Sequence, residues 1–224
     1  MINLSDRLLK ISEFVLDKDT LDIGADHCAL LIYLIKNKKY ESRFYASENK
    51  EGPYNNLVSN IDSNGLHKRI TPLLGDGLDV YKHTHNAPQV IMTGMGGETI
   101  IEIIEKNKEL LKSIQTLIIE PQSNHSKTRR YMHSLGFKIV EERYVKERGN
   151  FYPILRYEKG EQELSDVNAH FGILTLVNKD PVLKEKLDTE LETFTEILKT
   201  VSEDKKPKIE RRLGLIREAL KQYE

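Results

Sequence analysis

Asp22, Gly24, Asp26 and His27 lie within six residues of one another, in the stretch Thr20-Leu21-Asp22-Ile23-Gly24-Ala25-Asp26-His27. Two carboxylates flanking a glycine can accept hydrogen bonds from a cationic ligand, and an imidazole beside them can orient a group or take a proton. Apolar residues precede the glycine, and Leu30, Leu31, Leu34 and Ile35 follow it at helical spacing, so the stretch reads as strand, tight turn and helix. In an open α/β sheet that is where ligands lie, outside the carboxyl ends of the strands and against a helix N-terminus. A dinucleotide would need Gly-x-Gly-x-x-Gly, so that its pyrophosphate meets bare backbone. Asp26 stands where the second of those glycines belongs and would repel a pyrophosphate. A ligand carrying an ammonium or sulfonium group is compatible with Asp26, and S-adenosylmethionine carries both. Asp22 would accept from its amino group. A plain turn with Asp26 as helix N-cap uses the same residues.

Other acids fall at strand ends. Glu48 follows Phe44-Tyr45-Ala46-Ser47, at the roughly 20 to 25 residue distance where nucleotide sites place a carboxylate on ribose hydroxyls. Asn49 is grouped with it as a cofactor contact. Gly75-Asp76-Gly77 follows Ile70 to Leu74 and could accept from the exocyclic amine of an adenine ring, although a β-turn would use the same residues. Gly94-Met95-Gly96-Gly97 follows Gln89 to Met92; so many glycines cost backbone entropy and imply close approach of the chain to something flat or bulky. His83-Thr84-His85 has no Cys partners and reads as a solvated loop, and no metal site is expected.

The elements that must position these residues alternate. An opening helix carries Leu4, Leu8, Ile11 and Val15; a helix over about Pro53 to Ser63 precedes the third strand; one over Glu98 to Leu111 precedes a fifth strand, Thr116 to Ile119. A helix from about Ser126 to Leu135 carries Lys127, Arg129 and Arg130. Phe137 to Tyr144 and Phe151 to Tyr157 are joined too closely for a crossover and should form an antiparallel hairpin. The fold class is therefore α/β, a Rossmann-like doubly wound sheet with a terminal antiparallel β-hairpin, over residues 1–160. Over 161–224 the pattern changes. Leu183, Leu187, Leu191, Phe194, Leu198 and Val201 form one apolar stripe, Lys205-Lys206-Pro207 interrupts it, and Ile209, Leu213, Ile216 and Leu220 resume it. That is a coiled-coil-like helical hairpin, with Lys205, Lys206, Lys208, Arg211 and Arg212 near its tip.

The chain of 224 residues has 34 Lys and Arg against 35 Asp and Glu, so it has no overall basic pull toward nucleic acid; phosphate binding would need local patches. Its single cysteine, Cys28, excludes an intramolecular disulfide. Met1-Ile2-Asn3-Leu4-Ser5-Asp6 lacks the basic and apolar regions of a secretory leader, and no apolar run spans a bilayer. A soluble cytoplasmic protein without membrane contact is expected.

Asp22-Ile23-Gly24-Ala25-Asp26-His27, Gly75-Asp76-Gly77, Gly94-Met95-Gly96-Gly97 and Asn150-Phe151-Tyr152 together resemble the bacterial tRNA (adenine-22-N1)-methyltransferases, over nearly the whole chain. The resemblance implies a class I methyltransferase domain with a helical tRNA-binding arm, using S-adenosylmethionine to methylate N1 of an adenosine in the D-arm of tRNA. By the same resemblance Asp22, Gly24 and Asp26 hold the methionine moiety, Glu48 the ribose, Asp76 and Gly77 the adenine, and Gly94 and Met95 line the pocket beside the sulfonium. The chain departs from the family pattern in Ala29 and Leu31, where an aromatic residue and a proline are usual. It departs again in Glu120-Pro121-Gln122, where Gln-Pro-Asn is usual.

For that reaction Asp26 is the expected catalytic carboxylate and His27 its orienting partner or proton acceptor. Gln122 and Asn124 would read the base edge. Tyr33, Tyr54, Phe151 and Tyr152 could stack on an extruded base. Phosphate contacts would come from Lys36, Lys38, Lys39, Lys127, Arg129, Arg130 and the arm residues Lys205, Lys206, Arg211 and Arg212. A monomer is expected. The alternatives are a methyltransferase acting on another RNA or a small molecule, and a cofactor-binding protein that binds RNA without catalysis.

Overall fold

A computed structural model describes residues 4–224. Met1, Ile2 and Asn3, part of the stretch searched for a leader, lie outside the described residues. The strands β1 (Thr20–Ile23), β2 (Phe44–Glu48), β3 (Ile70–Leu74), β4 (Gln89–Met95), β5 (Thr116–Pro121), β6 (Phe137–Glu147) and β7 (Asn150–Lys159) form one sheet in the order β3-β2-β1-β4-β5-β7-β6. The first five are parallel; β7 runs antiparallel to both β5 and β6. Strand order reverses between β1 and β4, whose carboxyl ends therefore flank the crevice where such sheets bind ligands.

Alternation divides the core. Leu21, Ile23, Val90, Met92, Leu117 and Ile119 face one side of the sheet with Ile100 and Ile104 of α4 (Gly97–Lys106) and Met132 of α5 (His125–Ser134). Phe44, Ala46, Ile91 and Ile118 face the other, with Ile11 of α1 (Asp6–Phe14), Leu31 of α2 (Ala29–Lys36) and Leu57 of α3 (Glu51–Ser63). The central strands are covered on both faces and so read as continuous apolar runs.

Several elements differ from their sequence expectation. The helix expected to reach Leu111 ends at Lys106; Asn107 leaves helical geometry, its side chain bonds Asp79, and Lys108–Lys112 continues as a 3-10 turn. The β6–β7 hairpin closes over two residues, Arg148 and Gly149, at φ +50° and +81°, both values being those a type I′ turn requires. In β6 the pairing register shifts between Ile139 and Glu141, and the inward set changes from Phe137 and Ile139 to Glu142 and Tyr144. A bulge inserts one residue, which reverses the facing of everything after it.

Between the sheet and the arm lie two short helices not read from the sequence, α6 (Asp166–Phe171) and α7 (Leu174–Val177). The arm is α8 (Pro181–Thr200) and α9 (Lys206–Leu220). The two run antiparallel, since the Tyr223 hydroxyl donates to the Asp180 carbonyl at 2.9 Å and so joins their distant ends. Only the proximal part of the expected stripe is fully buried. Leu183, Leu187 and Ile216 pack with Tyr144, Val167 and Phe171 in a third core, and Leu213 is buried as well, whereas Ile197 is 37% exposed. Beyond the reach of α6 and α7, the two helices cover one another alone.

Candidate active site

The turn after β1 is held by β2. Gly24 and Ala25 donate backbone N–H bonds to the Ser47 carbonyl at 3.0 and 3.2 Å, and the Asp26 N–H donates to Glu48 Oε1 at 2.6 Å. Asp26 has φ +48° and Cys28 φ +58°, left-handed geometry that Asp tolerates better than most residues. Asp26 is not the helix cap. The residue preceding α2 is Cys28, which makes no side-chain cap, so the Asp26 carboxylate is left 76% exposed. Cys28 itself is fully buried, and burial together with the neighbouring Asp22 charge pushes its thiol well up.

Two cavities meet at Gly24. One, of about 400 Å³, is lined by Gly24, Glu48, Asn49, Asp76, Gly77 and Met95, with Thr99, Ile103 and Lys106 of α4 on its far side. The other, of about 410 Å³, is lined by Asp22, Gly24, Asp26, His27, Gly94 and Gln122, and by Arg7 of α1 beside Gly94. The expected cofactor residues thus divide between adjoining spaces: Glu48, Asn49, Asp76, Gly77 and Met95 in the first, Asp22, Asp26 and Gly94 in the second, and Gly24 in both.

The chemistry of the donor set fits S-adenosylmethionine. Asp22 is 4% exposed on the central strand, opposite Ala46 and Ile91 in the ladders, and burial, reinforced by Glu48, raises its carboxyl to about 8. A carboxyl in that state gains most from an adjacent cation. Asp76 stands on the rim of the first cavity, 3.6 Å from Lys106 Nζ, which also binds Asp79 at 2.7 Å.

His27 lies 3.7 Å from Asp26 through Nε2. Asn60 Nδ2 donates to the His27 carbonyl at 3.3 Å and faces His27 Nδ1 at 3.4 Å. Since the carbonyl can only accept, the Asn60 amino group is the one on that side, and Nδ1 of a neutral His27 is then the acceptor. His27 thus stands beside Asp26 and is held from its other side by Asn60.

Other expected site residues lie elsewhere. Arg129 is 1% exposed: its Nε donates to Glu142 at 2.9 Å and its Nη1 to the Ala169 carbonyl at 3.2 Å, so it joins α5, β6 and α6 and cannot reach a phosphate. The signal was present in the sequence, because Arg129 lies three residues before the buried Met132 and on its helix face. Lys36 ends α2 and Lys38 and Lys39 follow it, so all three lie at the amino edge of the parallel strands, away from the site; Lys38 Nζ donates to the Ser12 carbonyl at 2.5 Å. Asn124 is not with Gln122. It lines a cavity of about 470 Å³ between α5 and the arm, with His125, Lys127, Arg130, Lys186 and Arg212. There the cations are partnered by carboxylates: Lys127 with Glu98, Arg130 with Asp166, and Lys186 and Arg212 with Glu190; Arg211, outside the cavity lining, also pairs with Asp166. Burial and the nearby Arg129, Lys186 and Arg212 lower His125 to about 3, so it stays neutral. Lys206 pairs with Glu203 at the arm tip, while Lys205 and Lys208 form no ion pair among the described residues.

Tyr152 stands under the Arg7 guanidinium, 5.7 Å from carbon to ring centroid. Glycines of the β4 loop approach the chain itself: a Cβ on Gly97 would lie 2.4 Å from Thr128 Oγ1 and 2.5 Å from the Ser123 carbonyl. Arg7, Asn60 and Glu120 were missed by sequence reasoning. Glu120 alone carried a signal, as an acid at a strand's carboxyl end like Asp22 and Glu48. Among the described residues no group of three or more His, Cys, Asp or Glu could hold a metal, and no helix is long and apolar enough to cross a membrane.

This chain is 28% identical to the tRNA (adenine(22)-N(1))-methyltransferase of Bacillus subtilis over 209 residues, 90% of this chain and 87% of that one. Its fold superposes with a TM-score of 0.89 on a Streptococcus pneumoniae protein solved with S-adenosyl-L-methionine, at 29% identity, covering 97% of this chain and 100% of that one. With M. capricolum TrmK, solved with S-adenosyl-homocysteine, the TM-score is 0.87 at 26% identity, covering 98% of each chain. The family pattern of the TrmK tRNA (adenine(22)-N(1))-methyltransferases matches residues 20–224, from β1 through the whole arm, and it is to this family that the chain belongs.

Proposed function

We propose that the chain transfers the methyl group of S-adenosylmethionine to N1 of the adenosine at position 22 in the D-arm of tRNA. The observation that carries this reading is the meeting of the two cavities at Gly24, with a buried carboxyl, Asp22, on one side and an exposed carboxylate, Asp26, on the other. Asp22 and the Gly24 backbone hold the methionine moiety, Glu48 and Asn49 the ribose, and Asp76 with Gly77 the adenine. Met95 and Gly94 flank the sulfonium.

The cofactor supplies an electrophilic methyl. Adenine N1 already has a lone pair, so no base need act before attack, and alignment of the reactants can supply roughly 7 to 11 kcal/mol. The base becomes cationic as the bond forms. Asp26, oriented by His27, accepts from the exocyclic amine and stabilises that charge, and Gln122 stands in the same cavity to contact the base edge. Lys127 and Arg130 at the α5 cavity, and Lys205, Lys206, Arg211 and Arg212 on the arm, meet backbone phosphates, the paired ones by exchanging their carboxylate partners for phosphate.

Residues 1–160 act as the cofactor-binding domain and 161–224 as the tRNA-binding arm. The protein works as a monomer in the cytoplasm: the arm buries its proximal stripe within its own chain, and large exposed apolar residues such as Leu9, Leu74 and Ile197 are scattered singly. The test is methyl transfer from labelled cofactor to unmodified tRNA transcripts, with reverse-transcription stops read along the product. Incorporation with a stop at adenosine 22, lost when that base is guanosine, is expected. Absence of incorporation despite binding of both ligands would overturn it.

A further inference from the structure

In the lining of the second cavity, residues of β5, β6 and β7 converge on the guanidinium of Arg7 from α1. Arg7 Nη1 lies 2.7 Å from Glu120 Oε2, and the Gly94 N–H donates to that same oxygen at 2.7 Å. Arg7 Nε donates to Glu147 Oε2 at 3.3 Å, the Arg7 backbone N–H donates to Glu147 Oε1 at 3.3 Å, and Tyr152 lies beneath the guanidinium. Glu120 is fully buried, and its second oxygen, Oε1, has no hydrogen-bond partner.

The sheet does not require this arrangement. Strands β4 and β5 pair regularly through Met92 and Ile119, but the register shifts between Thr93 and Met95, where Gly94 takes φ +76°. Its N–H is therefore turned out of the regular ladder and onto a side chain. Thr93 and Gly94 line the acceptor cavity, so Glu120 fixes the backbone of that wall. Arg7 in turn fixes Glu120, and reaches it from a helix at the start of the chain. The charges also matter. A base that becomes cationic on methylation would be opposed by an uncompensated guanidinium in the same cavity, and Glu120 and Glu147 flank Arg7 on both sides.

We propose that Arg7 and Glu120 are positioning residues for methyl transfer: together they set the Gly94 wall of the acceptor cavity, and Glu120 offsets the Arg7 charge beside the reacting base. This rests on the methyltransferase reading above. Neither residue lines the cavity around Glu48 and Asp76 that takes the ribose and adenine, so the effect falls where the sulfonium meets the acceptor base, beside Gly94.

The test uses Glu120→Gln, which keeps shape and an accepting oxygen but leaves Arg7 with Glu147 as its one carboxylate partner, Arg7→Lys, which keeps charge but not the fork, and Arg7→Met with and without Glu120→Gln. Each is measured for melting temperature, cofactor affinity by calorimetry, and kcat and KM on the tRNA transcript. Glu120→Gln should lose roughly 10- to 100-fold in kcat, the scale of a small misplacement at a reacting centre. Its cofactor affinity should stay within about threefold of wild type. Arg7→Lys should retain more activity than Arg7→Met, and the Arg7→Met/Glu120→Gln pair should lose no more than the worse single variant, because the two act as one unit. Wild-type kcat in Glu120→Gln and in Arg7→Met would overturn the proposal. So would losses that follow cofactor affinity and melting temperature in parallel, or that multiply in the double variant. If Glu120→Gln does not fold, the Arg7→Lys and Arg7→Met comparison decides alone. An inactive wild-type protein would count against the methyltransferase reading, whereas an active wild type with equally active variants counts against this proposal only.

Discussion

The Glu48 carboxylate accepts the backbone N–H of Asp26 at 2.6 Å, across 22 residues of sequence. The acid expected to hold a ribose therefore also fixes the turn that presents Asp26, and one of its oxygens is already engaged. The cofactor side and the acceptor side of the site are joined through this one side chain.

Glu48→Gln and Glu48→Ala separate the two tasks. Glutamine keeps an oxygen for the Asp26 N–H; alanine loses both contacts. Hydrogen bonds to charged groups contribute about 1.5–3 kcal/mol, so cofactor affinity should fall roughly tenfold in Glu48→Gln and roughly 100-fold in Glu48→Ala. Calorimetric titration checks this, and equal losses would mean that the turn contact is immaterial.

Asp22 should make both cofactor affinity and stability depend on pH. Its folded-state carboxyl stands at about 8, raised by burial and by Glu48, against an unfolded value of roughly 3.9. A raised value contributes stability that is fully present below about pH 4 and is lost as pH rises through about 8. Cofactor-free Asp22→Asn should therefore gain melting temperature over wild type at pH 8 and lose that advantage toward pH 4. A cationic ligand favours the ionised form, so affinity in wild type should increase as pH rises toward about 8, with proton release on binding. Calorimetry in buffers of different ionisation enthalpy measures the released proton, and a pH-independent wild-type affinity would refute the assignment.

Asp26→Asn should lower kcat by about 100-fold, the lower range for a positioned acid or base, while leaving cofactor affinity near that of wild type. Asn60→Asp, which can no longer donate to the His27 carbonyl or ring, should give a smaller loss in the same parameter. Steady-state kinetics on the transcript distinguish these outcomes. A loss confined to the KM for cofactor would move Asp26 to the methionine side.

Arg129→Ala should destabilise the protein by about 3–5 kcal/mol, because it leaves Glu142 buried without its partner. Urea unfolding measures that. The salt dependence of tRNA binding in the folded fraction should be unaltered, since Arg129 does not reach the surface.

The arm tip should behave in the opposite way. Replacing Lys205 and Lys208 by alanine should leave unfolding within about 0.5 kcal/mol of wild type, and should weaken tRNA binding. The slope of log affinity against log salt should fall by roughly 0.7–0.9 for each phosphate contact removed. Filter binding over a salt series provides the slope.

The sequence by itself determined the alternation of strands and helices, the closing hairpin and the helical arm, because period, glycine stops and a proline break are local quantities. It also placed Asp22, Glu48 and Asp76 at strand ends, and parallel strands bring their carboxyl ends to one edge whatever their order. What only the tertiary structure decided depends on contacts between distant residues. The bulge in β6 turns Glu142 inward, and with it Arg129, which by type alone reads as a solvated cation. Asn124 follows Gln122 by two residues, yet the β5–α5 turn sends it to another cavity. Arg7 meets Glu120 across 113 residues, and Asn60 meets His27 across 33. No periodicity encodes such pairs, since each partner satisfies its own helix or strand pattern equally well without the other.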